Sequence, residues 1–385
     1  MDKKRQIQFN LNNFLLALSY PLDAIENHYY NTDLIHSKKI AFIALKLAKE
    51  FNYEEKYLSD ICSYSLIHNI ALKQTNKKGK EYCLLGEEYI KSFPFLTNEE
   101  DIIKYHCEHY DGSGTFGLKG DEIPLFSQFI AFVDIIDTQF NLSTKDISNR
   151  EKIIDFVKKN ELVLFSSDIV ECFMEFSEVE SFWLDLQNEQ EMLTFIFSSL
   201  FDYTQALDFE QILSMTTIFY KMMDGESNLL ENCEKVADFY NFDHKDKQTF
   251  LIAASLTNIG KFFVPQKLVE KSTVLEPNEH KKIKAYPYYT NKTLSNVIGF
   301  ADINTWASRI QEFVDGSGYP YCLESKDLSL KDRLLCVINI YSSLTSQKKY
   351  RDAFSKDEAI KVLESFAHNG KIDKAIAKDF NKIFL

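Results

Sequence analysis

The chain has 385 residues, of which 45% are hydrophobic and 26% charged, with only 12 Gly and 7 Pro. This composition excludes a collagen-like, low-complexity or wholly disordered protein, and the length predicts two or three globular domains. The formal net charge of -13 disfavours polymeric nucleic acid and anionic membrane surfaces as partners. No apolar run is long enough for a membrane span or a signal peptide, so we expect a cytoplasmic protein without membrane insertion.

Seven cysteines are scattered along the chain without a CxxC pair. An odd number in this arrangement argues against a disulfide framework and against a zinc ribbon. We expect most of them to be reduced thiols that pack as small hydrophobic groups.

Apolar residues recur at helical spacing along most of the chain, whereas strict alternation is scarce. In the segment 36–51, one stripe contains Ile40, Ile43, Ala44 and Leu47. The same periodicity marks the segments 152–160, 358–366 and 375–384. Gly and Pro cluster at 111–124 and 315–320, which predicts turn-rich loops there. The predicted fold class is therefore all-α.

The two glycine-rich loops reveal an internal repeat. The motif DGSG begins at Asp111 and again at Asp315, and a glutamate precedes each copy by three residues, at an offset of 204. The segments around 66–71 and 256–261, and those around 132–137 and 337–342, also match in order. This predicts a diverged tandem repeat. We place repeat one at 1–177, a connecting helix at 178–207 that packs the two halves together, and repeat two at 208–385.

In these motifs the chain resembles the HD-GYP family, the metal-dependent phosphodiesterase branch of the HD superfamily. Repeat one contains HSKKIA, YSLIHNIAL, HCEHYDGSGTFGLKGDEIP and FVDIIDTQF, and repeat two contains AASLTNIGKFFVPQKLVEK, DGSGYP and LTSQKKYR. The resemblance implies helical bundles with two or three Fe or Mn ions that activate water to cleave cyclic di-GMP. It also implies that the Asp of the HD pair bridges metals and that a Lys of the next motif meets the substrate phosphate.

Repeat one keeps part of the ligand set that the resemblance implies. The retained positions are His36, His68, His106 and Asp134. The degenerate positions are Asn69 for the bridging Asp, Tyr82 for the His of a His-Pro segment, Cys107 for a second His, and Leu72 for the Lys. The resemblance places three of the retained residues on one centre and His106 with a second or third metal. We expect no ion, or one weakly held Fe, Mn or Zn, because the neutral Asn69 cannot supply the bridging carboxylate.

Repeat two keeps none of these ligands. The corresponding residues are Gly225, Thr257, Asn258, Tyr286, Ile310, Gln311 and Asn339. The loop motifs nevertheless persist in both repeats, as Glu108, Asp111, Gly112 and Gly114, and as Glu312, Asp315, Gly316, Gly318, Tyr319 and Pro320. Such glycines permit positive φ and such an Asp caps a turn, so we expect a structural role, with contact to a partner as the alternative.

Three functions remain open, and no catalytic residue is assigned. The favoured one is a catalytically inactive signalling protein that acts through protein partners, with cyclic di-GMP or a related nucleotide as a ligand and a homodimer as one assembly. The second is a weak metal-dependent cyclic di-GMP phosphodiesterase in repeat one. The third is an architectural protein without a small ligand. The lysine runs at 77–81 and 281–284 are expected on the solvated surface, unless a lysine beside a closed pocket meets phosphate.

Overall fold

The structure is a computed structural model that describes residues 6–224, 227–269, 271, 273, 276–347 and 351–384. Within these residues it consists of α-helices, short 3-10 turns and two short strands, which confirms the predicted all-α class. The first eleven helices are α1 (Leu11–Tyr30), α2 (His36–Glu50), α3 (Glu55–Ile67), α4 (Leu72–Thr75), α5 (Lys80–Ile90), α6 (Ile102–Tyr105), α7 (Leu125–Phe140), α8 (Ile147–Lys159), α9 (Ser167–Ser177), α10 (Glu180–Leu186) and α11 (Glu189–Ser199).

The remaining helices follow the second strand. They are α12 (Phe209–Asp224), α13 (Leu229–Phe239), α14 (His244–Leu256), α15 (Gln266–Val269), α16 (Pro277–Ile283), α17 (Tyr286–Leu294), α18 (Ala301–Ser308), α19 (Leu330–Thr345), α20 (Lys356–His368) and α21 (Lys374–Phe384). In the described ranges, no helix combines the length and the apolar character that a membrane crossing requires.

The chain forms two compact units. The first unit contains residues 10–204, and the second contains residues 205–385 together with the chain before residue 10. Strand β1 (Gln6–Asn10) pairs with β2 (Thr204–Asp208), which explains why the first strand belongs with the later residues.

The segment predicted as one connecting helix contains two helices, α10 and α11, followed by β2. Both helices belong to the first unit, where α10 packs against α9 and α11 packs against α2 and α3. The chain turns between them because Asn188 caps the start of α11 through its side chain. The packing of the two halves by this segment stays a prediction.

Helix ends follow local capping chemistry. At the start of α1 the side chain of Asn10 accepts a hydrogen bond from a first-turn N–H, and Asn31 in the left-handed region ends this helix. Helices α19 and α20 begin with capping boxes at Ser329 and Ser355, each closed by an acidic residue three positions later.

Helix α2 is the central helix of the first unit. Its predicted apolar stripe is buried, but Lys38 and Lys39 on its other faces are buried as well, because α3, α7 and α11 surround it. Each ammonium has a carboxylate partner at 2.7 Å, Asp23 for Lys38 and Asp137 for Lys39. These pairs offset the cost of burying two charges and hold the first residue of α2, His36, inside the unit.

Candidate functional site

Four polar side chains of the first unit converge in its interior. Glu26 lies in the last turns of α1, His36 begins α2, His68 follows α3 and Asp134 lies in α7. One ligand atom of each residue lies within 4.8 Å of the others, and all four residues are buried. Three of them are the residues that the family resemblance places on one centre. Two imidazole nitrogens and two carboxylates form a donor set that suits one divalent metal ion.

Lys78 reaches into the same cluster from the segment between α4 and α5. Its Nζ lies 2.7 Å from both carboxylate oxygens of Asp134 and 2.9 Å from Oε1 of Glu26. Its side chain is 20% exposed, so the predicted surface position is wrong for this lysine. Burial lowers the pKa of Lys78, but the carboxylates of Asp134 and Glu26 more than offset this and raise it above its ordinary value. The ammonium therefore places one positive charge between the two carboxylates.

A further carboxylate orients His36. Its Nδ1 lies 2.6 Å from Asp137, which also binds Lys39, and its Nε2 faces Asp134 at 3.2 Å. Burial lowers the pKa of His36, but Glu26, Asp134 and Asp137 raise it well above the ordinary value. Because a carboxylate engages Nδ1, the ring presents Nε2 to the cluster, as imidazole ligands of metals do.

His68 supplies the test of whether an ion fits this cluster. Its Nδ1 donates to the carbonyl oxygen of Ser65 at 2.9 Å, so Nε2 faces Glu26 at 3.4 Å. Beyond this 3.4 Å contact with a carboxylate, the buried Nε2 has no hydrogen-bond partner. In the neutral ring it carries a lone pair, which a cation would satisfy. The donor set thus fits one divalent ion, although the ammonium of Lys78 contacts the same carboxylates.

Asn69 occupies the position where the resemblance implies a bridging carboxylate. Its Nδ2 donates to Glu26 Oε2 at 2.8 Å, so the amide hydrogen-bonds to an acid. An amide carries no negative charge. Its N–H group also hydrogen-bonds to the Glu26 carboxylate, which a metal ion would otherwise bind. The cluster thus holds donors for one ion and lacks the bridging charge for two.

His106 lies beside this cluster rather than in it. Its ring centroid is 6.0 Å from that of His68, and its Nε2 is 3.3 Å from the hydroxyl of Tyr82. Tyr82 in turn donates to the carbonyl oxygen of His68 at 2.8 Å. The ligand atoms of Cys83, His106 and Cys107 form a second group within 4.8 Å. The structure therefore separates His106 from the other three retained positions.

Glu108 and Glu312 clamp their glycine-rich loops. The carboxylate of Glu108 accepts hydrogen bonds from the backbone N–H groups of residues 116–118. The carboxylate of Glu312 accepts from Tyr321 at 2.7 Å and from Leu323 at 2.9 Å. Both glutamates are buried and both bind a loop that follows them by about ten residues. These contacts give each glutamate a structural role that requires no metal.

The two loops also turn in the same way. Asp111 accepts a hydrogen bond from the backbone N–H two residues later at 2.8 Å, and Asp315 does so at 2.9 Å. The glycine after each aspartate has positive φ, 85° at Gly112 and 76° at Gly316. The DGSG motif therefore forms the same turn in both units.

Comparison with known proteins identifies the family. A family model described as HD domain matches residues 61–155 and 209–376, together more than half of the chain. The chain belongs to the HD domain family. The predicted membership of the HD superfamily, with phosphodiesterase-like character, is confirmed.

Curated relatives of this HD domain protein are phosphodiesterases. It is 21% identical over 370 residues to 3′3′-cGAMP-specific phosphodiesterase 1 of Vibrio cholerae serotype O1. This alignment covers 89% of this chain and 86% of the relative. It is 24% identical over 350 residues to 3′3′-cGAMP-specific phosphodiesterase 3 of the same organism, covering 86% and 72%. A crystal structure of a cyclic GMP-AMP specific phosphodiesterase of V. cholerae shares the fold, with TM-score 0.68, 18% identity and 98% of both chains covered.

The second unit presents neutral residues at the positions that the HD-GYP resemblance assigns to metal ligands. The described residues at these positions are Thr257, Asn258, Tyr286, Ile310, Gln311 and Asn339, and Gly225 lies outside the described residues. Thr257 donates to the carbonyl oxygen of Ala254, and Gln311 donates to the hydroxyl of Tyr286 at 2.9 Å. In the part of this unit that the structure describes, no three His, Cys, Asp or Glu residues converge on one point.

Sequence reasoning missed three residues of this HD domain site. Glu26 and Asp137 lie on helix faces whose other residues are mostly apolar. An acid on such a buried face is the sequence signal that could have identified them as site residues. Lys78 lies in a run of lysines that resembles a solvated loop. Its role depends on how the segment after α4 folds back over α1, where the N–H of Lys78 donates to the hydroxyl of Tyr30 at 2.7 Å.

Proposed function

We propose that this HD domain chain is a signalling protein that binds a cyclic dinucleotide without hydrolysing it and acts through protein partners. The specificity of its relatives for 3′3′-cGAMP supports the ligand class. The neutral second unit and the altered first unit support the loss of hydrolysis. In this proposal the fold persists while the chemistry is reduced to binding.

The contact of Lys78 with Glu26 and Asp134 carries this proposal. Its ammonium lies 2.7 to 2.9 Å from carboxylate oxygens that a metal would need, and it supplies the positive charge that those acids require. A divalent ion must displace it. Asn69 adds a second obstacle, because its amide cannot bridge two cations. Because the side chain of Lys78 is partly exposed, its ammonium is also suited to contact a phosphate oxygen of a ligand.

Calorimetry combined with product analysis tests the proposal. The purified full chain is titrated with 3′3′-cGAMP and with cyclic di-GMP in the presence of chelator, and the same nucleotides are incubated with the chain and Mn²⁺ or Fe²⁺. We expect saturable binding and no linear product. Turnover that disappears in His68→Ala but persists in the matched variant Thr257→Ala would overturn the proposal. Absence of both binding and turnover would favour an architectural protein.

A weak metal-dependent phosphodiesterase is the second candidate. Beyond its 3.4 Å contact with Glu26, the buried Nε2 of His68 has no partner, which favours this candidate because a metal ion would satisfy this atom. A bound divalent ion would supply an activated water. The residues that would hold it are Glu26, His36, His68 and Asp134. Metal content of protein purified without chelator decides the matter: about one equivalent of Fe, Mn or Zn that is lost in His68→Ala supports this candidate.

We also infer that the two units are diverged copies of one domain, and we propose a homodimer as one assembly of the chain. The matching clamp and turn of the two glycine-rich loops support the duplication. Light scattering behind a size-exclusion column tests the dimer, since a monomer across the micromolar range would overturn it. Capture experiments with the intact chain then address partners.

A further inference from the structure

A second group of donors lies next to the cluster described above and is chemically different. Cys83 lies in α5, whereas His106 and Cys107 directly follow α6. Their Sγ and Nε2 or Nδ1 atoms lie within 4.8 Å of one another. Cys83 and His106 are buried, and Cys107 is partly exposed, so the group has one open side. All three sulfur and nitrogen donors are soft or borderline ligands, unlike the carboxylates around Lys78.

The imidazole of His106 is oriented toward the sulfur atoms. Its Nδ1 donates to the carbonyl oxygen of Ile103 at 2.5 Å, which leaves Nε2 with a lone pair in the neutral ring. A backbone carbonyl on the distal nitrogen is the usual partner of an imidazole that binds metal. The hydroxyl of nearby Tyr82 donates its proton to the carbonyl oxygen of His68, so it cannot also donate to Nε2 of His106. The lone pair therefore faces the thiol of Cys107.

The spacing matches that of ligands sharing one tetrahedral ion. The Nε2 of His106 lies 3.6 Å from Sγ of Cys107. With Zn–N near 2.0 Å and Zn–S near 2.3 Å, tetrahedral geometry separates the two ligand atoms by about 3.5 Å. Cys83 and Cys107 are close enough to share a hydrogen bond, which together with burial raises the pKa of Cys107 well above its ordinary value. Without metal, both cysteines are free thiols.

We propose that Cys83, His106 and Cys107 bind one soft divalent cation such as Zn²⁺, with the fourth position open to water. Binding replaces the two thiol protons, which pass to solvent, with two S–Zn bonds. The ion links α5 to the segment after α6 and stabilises the first unit. This site uses none of the four residues of the Glu26 cluster, and it does not depend on the proposed function.

Cobalt substitution tests the site on the intact, reduced chain. Metal-free protein is titrated with Co²⁺, whose thiolate ligands give an intense charge-transfer absorption that oxygen and nitrogen ligands do not give. We expect this absorption to saturate at about one equivalent, and Zn²⁺ to bleach it. Cys107→Ser and Cys83→Ser remove it. The control Cys62→Ser, a buried cysteine of the same unit outside the group, retains it.

His68→Ala separates the two clusters. We expect it to leave the charge-transfer absorption unchanged, because His68 belongs to the Glu26 cluster. Thermal unfolding gives a second readout. Zn²⁺ at 100 times its dissociation constant raises the folding equilibrium constant of the wild-type chain by a factor of about 100. The same concentration leaves the stability of Cys107→Ser unchanged. Since Cys107 is partly exposed, its serine variant retains the fold if Cys83→Ser does not. Absence of the absorption, or its survival in both cysteine variants, would overturn the proposal.

Discussion

The two units differ at the positions that the HD-GYP resemblance assigns to metal ligands. In the first unit these positions lie among buried charges, with Glu26, Asp134 and Lys78 in direct contact. In the second unit the matching residues include Thr257 and Ile310, which are neutral and buried. The glycine-rich loops, in contrast, have the same clamp and the same turn in both units. The two units therefore share the loop geometry but not the charges at these positions.

The comparison teaches that the loop motif does not depend on a metal site beside it. Glu312 holds its loop although no acidic or imidazole cluster lies among the described residues of the second unit. The glutamate needs only backbone N–H groups, which any loop of that shape provides. Persistence of DGSGYP is consequently evidence for a fold and carries no evidence for hydrolysis.

The largest expected effect comes from breaking a buried charge pair in the first unit. In Asp23→Ala, the ammonium of buried Lys38 loses the carboxylate that lies 2.7 Å from it. We expect the free energy of unfolding of the first unit to fall by about 3–5 kcal/mol. The matched change Asn232→Ala in the second unit breaks a buried neutral hydrogen bond to Ser342 and costs about 1 kcal/mol.

Urea unfolding of single-tryptophan variants measures this pair of effects. The chain has two tryptophans, Trp183 in the first unit and Trp306 in the second, so each variant reports on one unit. Equal losses for Asp23→Ala and Asn232→Ala would contradict the contrast between a charged and a neutral interior.

The next effect concerns close packing after the position of the HD pair. A Cβ atom on Gly260 would lie 2.0 Å from the carbonyl oxygen of Tyr286, whereas the corresponding residue of the first unit is already Ala71. We expect Gly260→Ala to destabilise the second unit by about 3 kcal/mol, because backbone must move. The reciprocal change Ala71→Gly costs about 1 kcal/mol. Thermal unfolding followed at Trp306 and at Trp183 compares the two, and a neutral Gly260→Ala would disprove the packing difference.

The loops provide a prediction of equal effects. A Cβ atom on Gly114 would lie 2.5 Å from Cα of Glu108, and one on Gly318 would lie 2.5 Å from Cα of Glu312. Gly114→Ala and Gly318→Ala should each cost about 1–3 kcal/mol in their own unit. Denaturant midpoints of the two variants test this. A loss in only one unit would break the structural equivalence of the loops.

The smallest effect is a pH dependence shared by the two exposed loop aspartates. The hydroxyl and N–H of Ser113 lower the pKa of Asp111 below its ordinary 3.8, and Ser317 does the same for Asp315. Because the folded pKa is depressed, each aspartate stabilises its loop above about pH 4, and this contribution is lost as the pH falls through the folded pKa. Carboxyl titration by NMR measures both values. Ser113→Ala and Ser317→Ala should return them toward 3.8, and unchanged values would contradict the assigned cause.

Much of the helical architecture could be predicted from periodicity. The apolar stripe of α2 is buried where it was expected, and the loops at 111–124 and 315–320 lie between helices. Periodicity did not predict that Lys38 and Lys39 are buried too, because it describes one face of a helix and not what covers the others. It also did not predict the break between α10 and α11, which a side-chain cap produces.

The residue pattern by itself determined the helical class and, through the order of its motifs, the resemblance that pointed to the family. The convergence of His36, His68 and Asp134 was expected only because that resemblance implies it. Only the tertiary structure decided that Glu26 completes the cluster, that Lys78 supplies its positive charge and that His106 lies with two thiols instead. These contacts join segments up to about a hundred residues apart, and their chemistry depends on distances of a few ångströms that no linear spacing encodes.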